Sequence, residues 1–451
     1  MTRQLVGIAL IVLLVLGKPR IHALVGMVIA TIVMGFLAGL DATAIGDAIL
    51  DGVAGTCKNI LLPVSFGVML GKLLEVTGGA RSMAEAFIRV TGEQRSPWAL
   101  ALSGWLVAFP VFTDTGYIIL NPLAKALSHR TRINMLYMGL ALCLGLWPAC
   151  LMAPPTPQPV AVAQALGVDM GLMTLGGGLF SLAIIVIGMI YVKWISNKIH
   201  FLPEDRGLTI DTKYLDNSSS EVSATAERGT IRTPSATAAI LCILIPVILL
   251  MTATLSKVVF PADSLPVVVF GFIGTPFVAI LIGLLMAMYW LSAGMPAETR
   301  LKWMESALSE AGVVVCITAA GGALGGVVKA AGIANTWANA MIAWGLPAWL
   351  LGFIIATLVK AAQGSAMISG VTAASIIGPL MPQLATNPLL MALAICSGAM
   401  FCSYFNDSLW WVFVRLTGLT MKEGLQAWTG LSIFCWAMSL PLLFLLSFVL
   451  V

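Results

Sequence analysis

Apolar residues run through this chain in long blocks. Blocks of the length needed to cross a hydrocarbon layer, roughly 17 to 25 residues, cover residues 23–40, 59–75, 133–152, 172–192, 235–255, 267–291, 308–328, 384–402 and 424–450. A shorter run at 4–17 suffices if its ends snorkel, which gives ten predicted crossings. Arg3 ahead of that run imitates a signal peptide, but Lys18 and Arg20 follow it and no small-residue cleavage site does, so a retained first span is expected. The blocks lack the strict apolar/polar alternation of a membrane barrel. Helices are expected throughout.

Two further stretches, 97–128 and 343–380, are too long for one crossing, and each is broken in its middle. The first carries Pro110, Thr113, Asp114, Thr115 and Gly116; the second carries Gln363, Gly364 and Ser365. Irregular backbone at membrane depth survives only where protein buries it or a cavity borders it. Each stretch therefore reads as a hairpin or broken helix whose tip faces an internal site.

Composition narrows the class. Of 451 residues, 59% are hydrophobic and 10% are charged, with a mean hydropathy of +0.99. A soluble domain carries about 25% charged residues to solvate its surface, so this chain cannot cover a water-facing exterior. A soluble enzyme, a disordered scaffold and a nucleic-acid reader are excluded, the last because the net charge of +4 is scattered and forms no basic stripe. The eight cysteines lie mostly inside apolar runs without metal-ligand spacing and read as packing groups. Three histidines sit near span ends or in the central loop. No metal site and no cofactor are expected.

Lys and Arg set an expected orientation. Lys18/Arg20, Arg81/Arg89/Arg95, Lys125/Arg130/Arg132, Lys193/Lys198/Arg228/Arg232 and Arg300/Lys302 mark cytoplasmic sides, and the segment with Asp41, Asp47 and Asp51 marks an outer one. The first hairpin then enters from inside and the second from outside. Residues 193–234 hold 12 of the 44 charged residues and an Asn/Ser/Thr-rich tract, so they read as a solvated cytoplasmic linker.

The flanking halves, 1–192 and 235–451, are related. Gly67–Ala80 resembles Gly321–Ala334 at an offset of 254 residues, and the breaks at Asp114 and Gly364 lie 250 apart. The tracts beginning at Pro154 and Phe405 lie 251 apart, and the last spans, starting near 172 and 424, lie 252 apart. Five crossings per half is an odd number, so the second copy is inserted upside down. The expected fold is an all-α polytopic membrane protein of two inverted repeats of five spans, each with a re-entrant or broken-helix hairpin, the plan on which secondary carriers place substrate at the midplane.

Four polar interruptions are the candidate chemistry. Thr113, Asp114, Thr115 and Gly116 place a carboxylate at membrane depth, a costly feature that points to substrate or proton handling, with a helix cap as the plain alternative. Pro154–Pro159, including Thr156 and Gln158, leaves backbone carbonyls without helical partners, or else forms a stiff loop at the membrane edge. Gly364 and Ser365, followed by Ser369 and Thr372, open a helix whose N-terminus suits a carboxylate, or else serve close helix packing. Asn406, Asp407 and Ser408 supply donors and acceptors for hydroxyls or a proton, while Trp410 and Trp411 read as interfacial anchors. Glu75, Lys329 and Lys360 read as snorkelling side chains, and Gly321, Gly322, Gly325 and Gly326 as a helix-packing face.

The segments GKLLEVTGGA, PVFTDTGYIILNPL, APPTPQP, AGGALGGVVKAAGI, GSAMISGVTAASIIGPL and NDSLWWVFVRLTGLTMKEGLQAWT resemble, in order and spacing, the bacterial gluconate permease (GntP-type) family over nearly the whole chain. The resemblance implies a carrier of the ion-transporter group that moves small organic anions, usually by proton symport, with gluconate and related sugar acids, short hydroxy acids and D-serine as family substrates. By position it implies a substrate site at Thr113–Gly116, Thr156, Gly364–Ala366 and Asn406–Ser408. Many relatives carry Pro-Pro-His-Pro where this chain has Pro154-Pro155-Thr156-Pro157, so an imidazole is replaced by a hydroxyl, and sugar-acid specificity follows less directly than membership.

The expected function is import of a small hydroxylated carboxylate across the bacterial inner membrane, with Asp114 or Asp407 taking the proton. The implied partners are a small organic anion, a coupling proton and the lipid bilayer, with a homodimer left open and no nucleic acid. Two other readings remain. An intramembrane aspartyl hydrolase would need Asp114 and Asp407 to share one proton in a common water pocket, and a passive organic-anion channel would need a continuous pore.

Overall fold

The computed structural model describes residues 23–208, 234–261, 264–331, 347–404 and 407–450. Among these residues the structure is helical, with no strand. The predicted first span at 4–17 and most of the 193–234 linker lie outside the described residues.

The first half contains α1 (Ala23–Leu37), α2 (Ala42–Val76), α3 (Gly79–Thr91), α4 (Ser96–Val107), α5 (Thr113–Thr131), α6 (Met135–Met152), α7 (Pro157–Leu166) and α8 (Met170–Lys198). A short 3-10 turn, Pro203–Arg206, follows. The second half contains α9 (Ala236–Val259), α10 (Leu265–Ile273), α11 (Pro276–Trp290), α12 (Ala297–Ala330), α13 (Ala348–Gln363), α14 (Ala366–Ile377), α15 (Pro388–Gly398), α16 (Ser408–Thr417) and α17 (Met421–Ser447), the last with a π-helical stretch at Leu425–Thr429.

The crossings differ from the expected ten. Six helical stretches among the described residues are long and apolar enough to span a membrane, or seven if α10 and α11, bent by 60° at their junction, count as one. Two apolar blocks fall short as helices: 23–40 gives the 15 residues of α1, and 384–402 gives the 11 residues of α15. Hydropathy sums over a block regardless of backbone, whereas α15 stops where Ala399–Tyr404 leave the helix. The acidic segment expected on an outer side forms the start of α2, with Asp41 as its N-cap and Asp47 and Asp51 on exposed helix positions.

Two pillars organise the molecule. At 35 and 34 residues, α2 and α12 are about 50 Å long, more than a hydrocarbon core requires. They pack tightly because small residues face each other. A Cβ on Gly322 would lie 2.0 Å from Thr56 Oγ1 and 2.4 Å from Gly52 O, and one on Gly326 would lie 2.1 Å from Ala48 O. The helix-packing reading of these glycines therefore fits. Beside the pillars, α6 is buried along nearly its whole length, while α8 and α9 present Leu179, Val186, Ile190, Ile248 and Leu255 outward as a lipid-type surface.

Both predicted hairpins are broken helices. Residues 108–112 separate α4 from α5, and Gly364 and Ser365 separate α13 from α14. Gly364 ends α13 in the left-handed region (φ 85°), and the Ser365 hydroxyl caps α14 at Ile368 N–H, 3.4 Å. Two more breaks separate α6 from α7 and α15 from α16.

Candidate substrate site

The breaks lie together. A Cβ on Gly71 of α2 would meet Pro110 O at 2.0 Å, and one on Gly67 would meet Pro155 O at 3.0 Å. These glycines are four residues apart, so the first hairpin tip and the proline tract rest about 6 Å apart on one face of α2. The Cys150 thiol lies beside Thr113, while Cys150 O accepts from Thr156 Oγ1 at 2.7 Å. Thr156 also donates to Ala153 O at 2.8 Å. Its hydroxyl is committed to the carbonyls that the end of α6 leaves free. Residues 154–160 are all buried, so the proline tract belongs to the protein interior and the membrane-edge reading does not fit.

Gln158 reaches from α7 toward α14, where a Cβ on Gly370 would come within 2.6 Å of its Nε2. It is 2% exposed. Pro157 and Pro159 remove two N–H groups from the first turn of α7, which makes its N-terminus a poorer anion seat than those of α5 and α14.

The charged cluster is built on the other breaks. Asp114, in the first turn of α5, accepts from Ser408 Oγ at 2.6 Å. Asp407 is the N-cap of α16, its Oδ1 accepting from Leu409 N–H at 3.2 Å. Its Oδ2 accepts from Ser403 Oγ at 2.6 Å and from Lys360 Nζ at 2.8 Å. Lys360 also donates to Gly364 O, and its side chain is 0% exposed.

Around this cluster the scaffold is stiff. Trp428 Nε1 donates to Ser403 Oγ at 2.9 Å, and Thr429 Oγ1 donates to Ser403 O at 2.6 Å. Trp410 Nε1 donates to Thr429 Oγ1 at 3.1 Å. Trp428 and Thr429 both come from the π-helical stretch of α17, a local widening of the kind found at functional sites. It turns both side chains onto the α15–α16 break. Tyr117 OH and Thr417 Oγ1, 2.7 Å apart, tie α5 to α16.

The structure thus joins Asp114, Ser408, Asp407 and Gly364 through direct hydrogen bonds and Lys360. Thr113 and Thr156 meet at Cys150, Ser365 caps the neighbouring helix, and Thr115 and Gly116 continue the first turn of α5, with Gly116 against Leu146. Asn406, Gln363's side chain and Lys329's side chain lie outside the described residues. Two expectations need correcting. Lys360 does not snorkel, because Asp407 and the end of α13 hold its ammonium inside. Trp410 is fully buried and hydrogen-bonded, so it is no interfacial anchor. Lys360 carries one sequence signal: it lies a helical turn before the helix-ending Gly364 of a tip already marked as functional.

The family model described as GntP family permease matches residues 1–449. An uncharacterized permease of Haemophilus influenzae is 33% identical over 440 residues, covering 96% of this chain and 89% of that one. The low-affinity gluconate transporter of Escherichia coli is 29% identical, covering 94% of this chain and 93% of its own. Among solved structures, Neisseria gonorrhoeae MtrF shares the fold at a TM-score of 0.68 and 12% identity, covering 94% of this chain and 95% of that chain. With apolar spans, helices broken around a buried charged cluster and a family match over almost every residue, the chain belongs to the GntP permease family: it is a multi-pass transporter of the bacterial inner membrane, not an enzyme.

Proposed function

We propose that this permease imports a small hydroxylated monocarboxylate, gluconate or a related sugar or hydroxy acid, by proton symport. The observation that carries the reading is the charge balance at the breaks. Two carboxylates, Asp114 and Asp407, surround one ammonium, Lys360. An anion entering a cluster of one enclosed ammonium and two part-buried carboxylates, which already holds one negative charge in excess, needs a proton to accompany it. The substrate carboxylate suits the first turns of α5 and α14, where helix N-termini offer N–H groups and the positive dipole end. Substrate hydroxyls suit Thr113, Thr115, Ser365 and Ser408, with Thr156, Gly116, Gly364 and Asn406 completing the lining proposed from the sequence.

The symmetry reading accords with alternating access. Counterparts of α4, α5, α6, α7 and α8 begin 251 to 253 residues later, at α13, α14, α15, α16 and α17. We take 1–192 and 235–451 as two inverted repeats joined by the 193–234 linker, and a hairpin-bearing unit that moves against the α2–α12 pillars follows from that plan.

Purified protein in proteoliposomes, given labelled gluconate and an inward proton gradient, accumulates the label, and a protonophore abolishes the accumulation. Absence of gradient-dependent uptake of any hydroxy acid overturns the reading. Asn at Asp114 and at Asp407, tested separately, assigns the proton: the carrier's variant loses accumulation and keeps substrate exchange.

A further inference from the structure

Lys360 is the feature that the symport reading leaves without a task. It is fully enclosed, and two acceptors hold it: the Asp407 carboxylate at 2.8 Å and the carbonyl of Gly364 at the end of α13. Leaving an ammonium inside a membrane protein is costly, and a helix-ending carbonyl alone would not repay it. Asp407 has other partners in Ser403 and Leu409 N–H, so it stays anchored if the lysine leaves. The lysine stem is long and flexible, with donors that rotate freely. Next to it, Ser365 opens α14, whose N-terminus is one of the two carboxylate seats argued above.

We propose that Lys360 is the substrate's carboxylate anchor, and that it is released to that role when Asp407 takes the coupling proton. The inference rests on the hydroxycarboxylate symport reading and adds the identity of the cation and of the proton carrier. In the substrate-free site, Lys360 and Asp407 form a neutral pair. A proton from the entry side binds Asp407 Oδ2, and the ion pair separates. The ammonium keeps its three protons and pairs with the incoming carboxylate, while Ser403 and the backbone keep the neutral Asp407 in place. No covalent bond of the substrate changes. Net site charge is the same before and after, so one proton accompanies each monoanion and transport is electroneutral. Proton and anion are coupled because either alone leaves a buried charge unpaired.

The other groups facing this pair are accounted for. Asp114 on α5 lies within electrostatic reach of both members and is held by Ser408. The Cys143 thiol on α6 lies near Asp407, and the Cys402 thiol near Lys360. Tyr404, on the same break as Asp407, donates its hydroxyl to Ala361 O at 3.5 Å, Tyr117 is engaged with Thr417 farther along α5, and at the start of α17 Glu423 is engaged with Arg206. The groups that α17 turns onto the break, Trp428, Thr429 and Ser432, do not titrate.

The test uses the full chain in proteoliposomes with gluconate and L-idonate as labelled probes, reading binding, exchange and proton-driven accumulation separately. Lys360→Met lowers probe affinity by about 100-fold, as expected for removing one partner of a buried charge pair, whereas Lys360→Arg recovers part of it. Asp407→Asn keeps exchange, loses accumulation and binds probe with an affinity that no longer changes with pH. The double variant Lys360→Met/Asp407→Asn removes both charges together, so it folds as judged by its melting temperature yet fails to bind. In the parent, accumulation driven by a pH gradient is unchanged when valinomycin and potassium set the membrane potential to different values. Parent-like affinity in Lys360→Met or in the double variant overturns the anchor, and gradient-driven accumulation by Asp407→Asn overturns the proton assignment. A parent that accumulates neither probe overturns the symport reading itself, a result separate from any variant's behaviour.

Discussion

Single residues decide both chemistry and closeness in this protein. Asp114 and Asp407 stand out in the sequence because a carboxylate in an apolar run is expensive. Lys360 did not, because its long side chain suits either a membrane end or an interior partner, and only contact with a residue 47 positions away settles which. Gly71 is the sharper case on the packing side. A Cβ there would overlap Pro110 O, a backbone atom that cannot rotate away. Gly71→Val is therefore expected to push the first hairpin tip off α2 and to cost about 3 kcal/mol, in the range of overpacked cores. Its signature is a lowered melting temperature in detergent together with lost transport. Gly55, with open space around its Cβ position, tolerates Ala, and equal losses from both substitutions would remove the close-approach explanation. Ser408→Ala takes away the donor to Asp114 and leaves that carboxylate half-buried with one partner fewer, so transport is expected to fall while the melting temperature moves by about 1 kcal/mol equivalent or less.

At the scale of elements, breaks and caps do the organising. The 3-10 turn Pro203–Arg206 docks onto the start of α17 through a two-pronged ion pair, Arg206 to Glu423 at 2.6 and 2.7 Å, with a third bond from Arg206 to Gly418 O. Hydrogen bonding to Glu423 raises the guanidinium above its usual range. Arg206→Ala is expected to destabilise by about 2 kcal/mol, and Arg206→Lys by much of that, because a lysine cannot reproduce the planar fork. Matched thermal melts of the two variants check it. Nearby, Glu204 contacts His129 and Arg132. Its carboxyl lies below the ordinary range, first through a backbone hydrogen bond and then through His129. A depressed carboxylate stabilises the fold at neutral pH, and that contribution disappears as pH falls through the carboxylate range. Glu204→Gln should therefore flatten the loss of melting temperature from about pH 5 downward, and an unchanged slope would assign the acid sensitivity elsewhere.

For the molecule as a whole, ligand binding gives the most direct reading of substrate class. Any acid that binds only the folded state raises the melting temperature with concentration. A series of sugar acids, short hydroxy acids and D-serine is expected to show the largest shifts for hydroxylated monocarboxylates, and larger ones at pH 6 than at pH 8, since a proton enters with the anion. A pH-independent ranking would separate binding from proton coupling.

The hydrophobic pattern by itself determined that this chain lives in a bilayer, that it is helical, and that two of its apolar stretches break in the middle, because water-free surroundings leave a backbone few other choices. It also located the carboxylates, since charges are conspicuous where the medium punishes them. It could not determine helix ends such as those of α1 and α15, because hydropathy is summed over a block and is blind to where hydrogen bonding stops. Nor could it determine that Thr156 spends its hydroxyl on α6, that Trp410 is interior, or that Lys360 faces Asp407. Those facts depend on which segments meet in space, and only the packing of the helices around their breaks decided them.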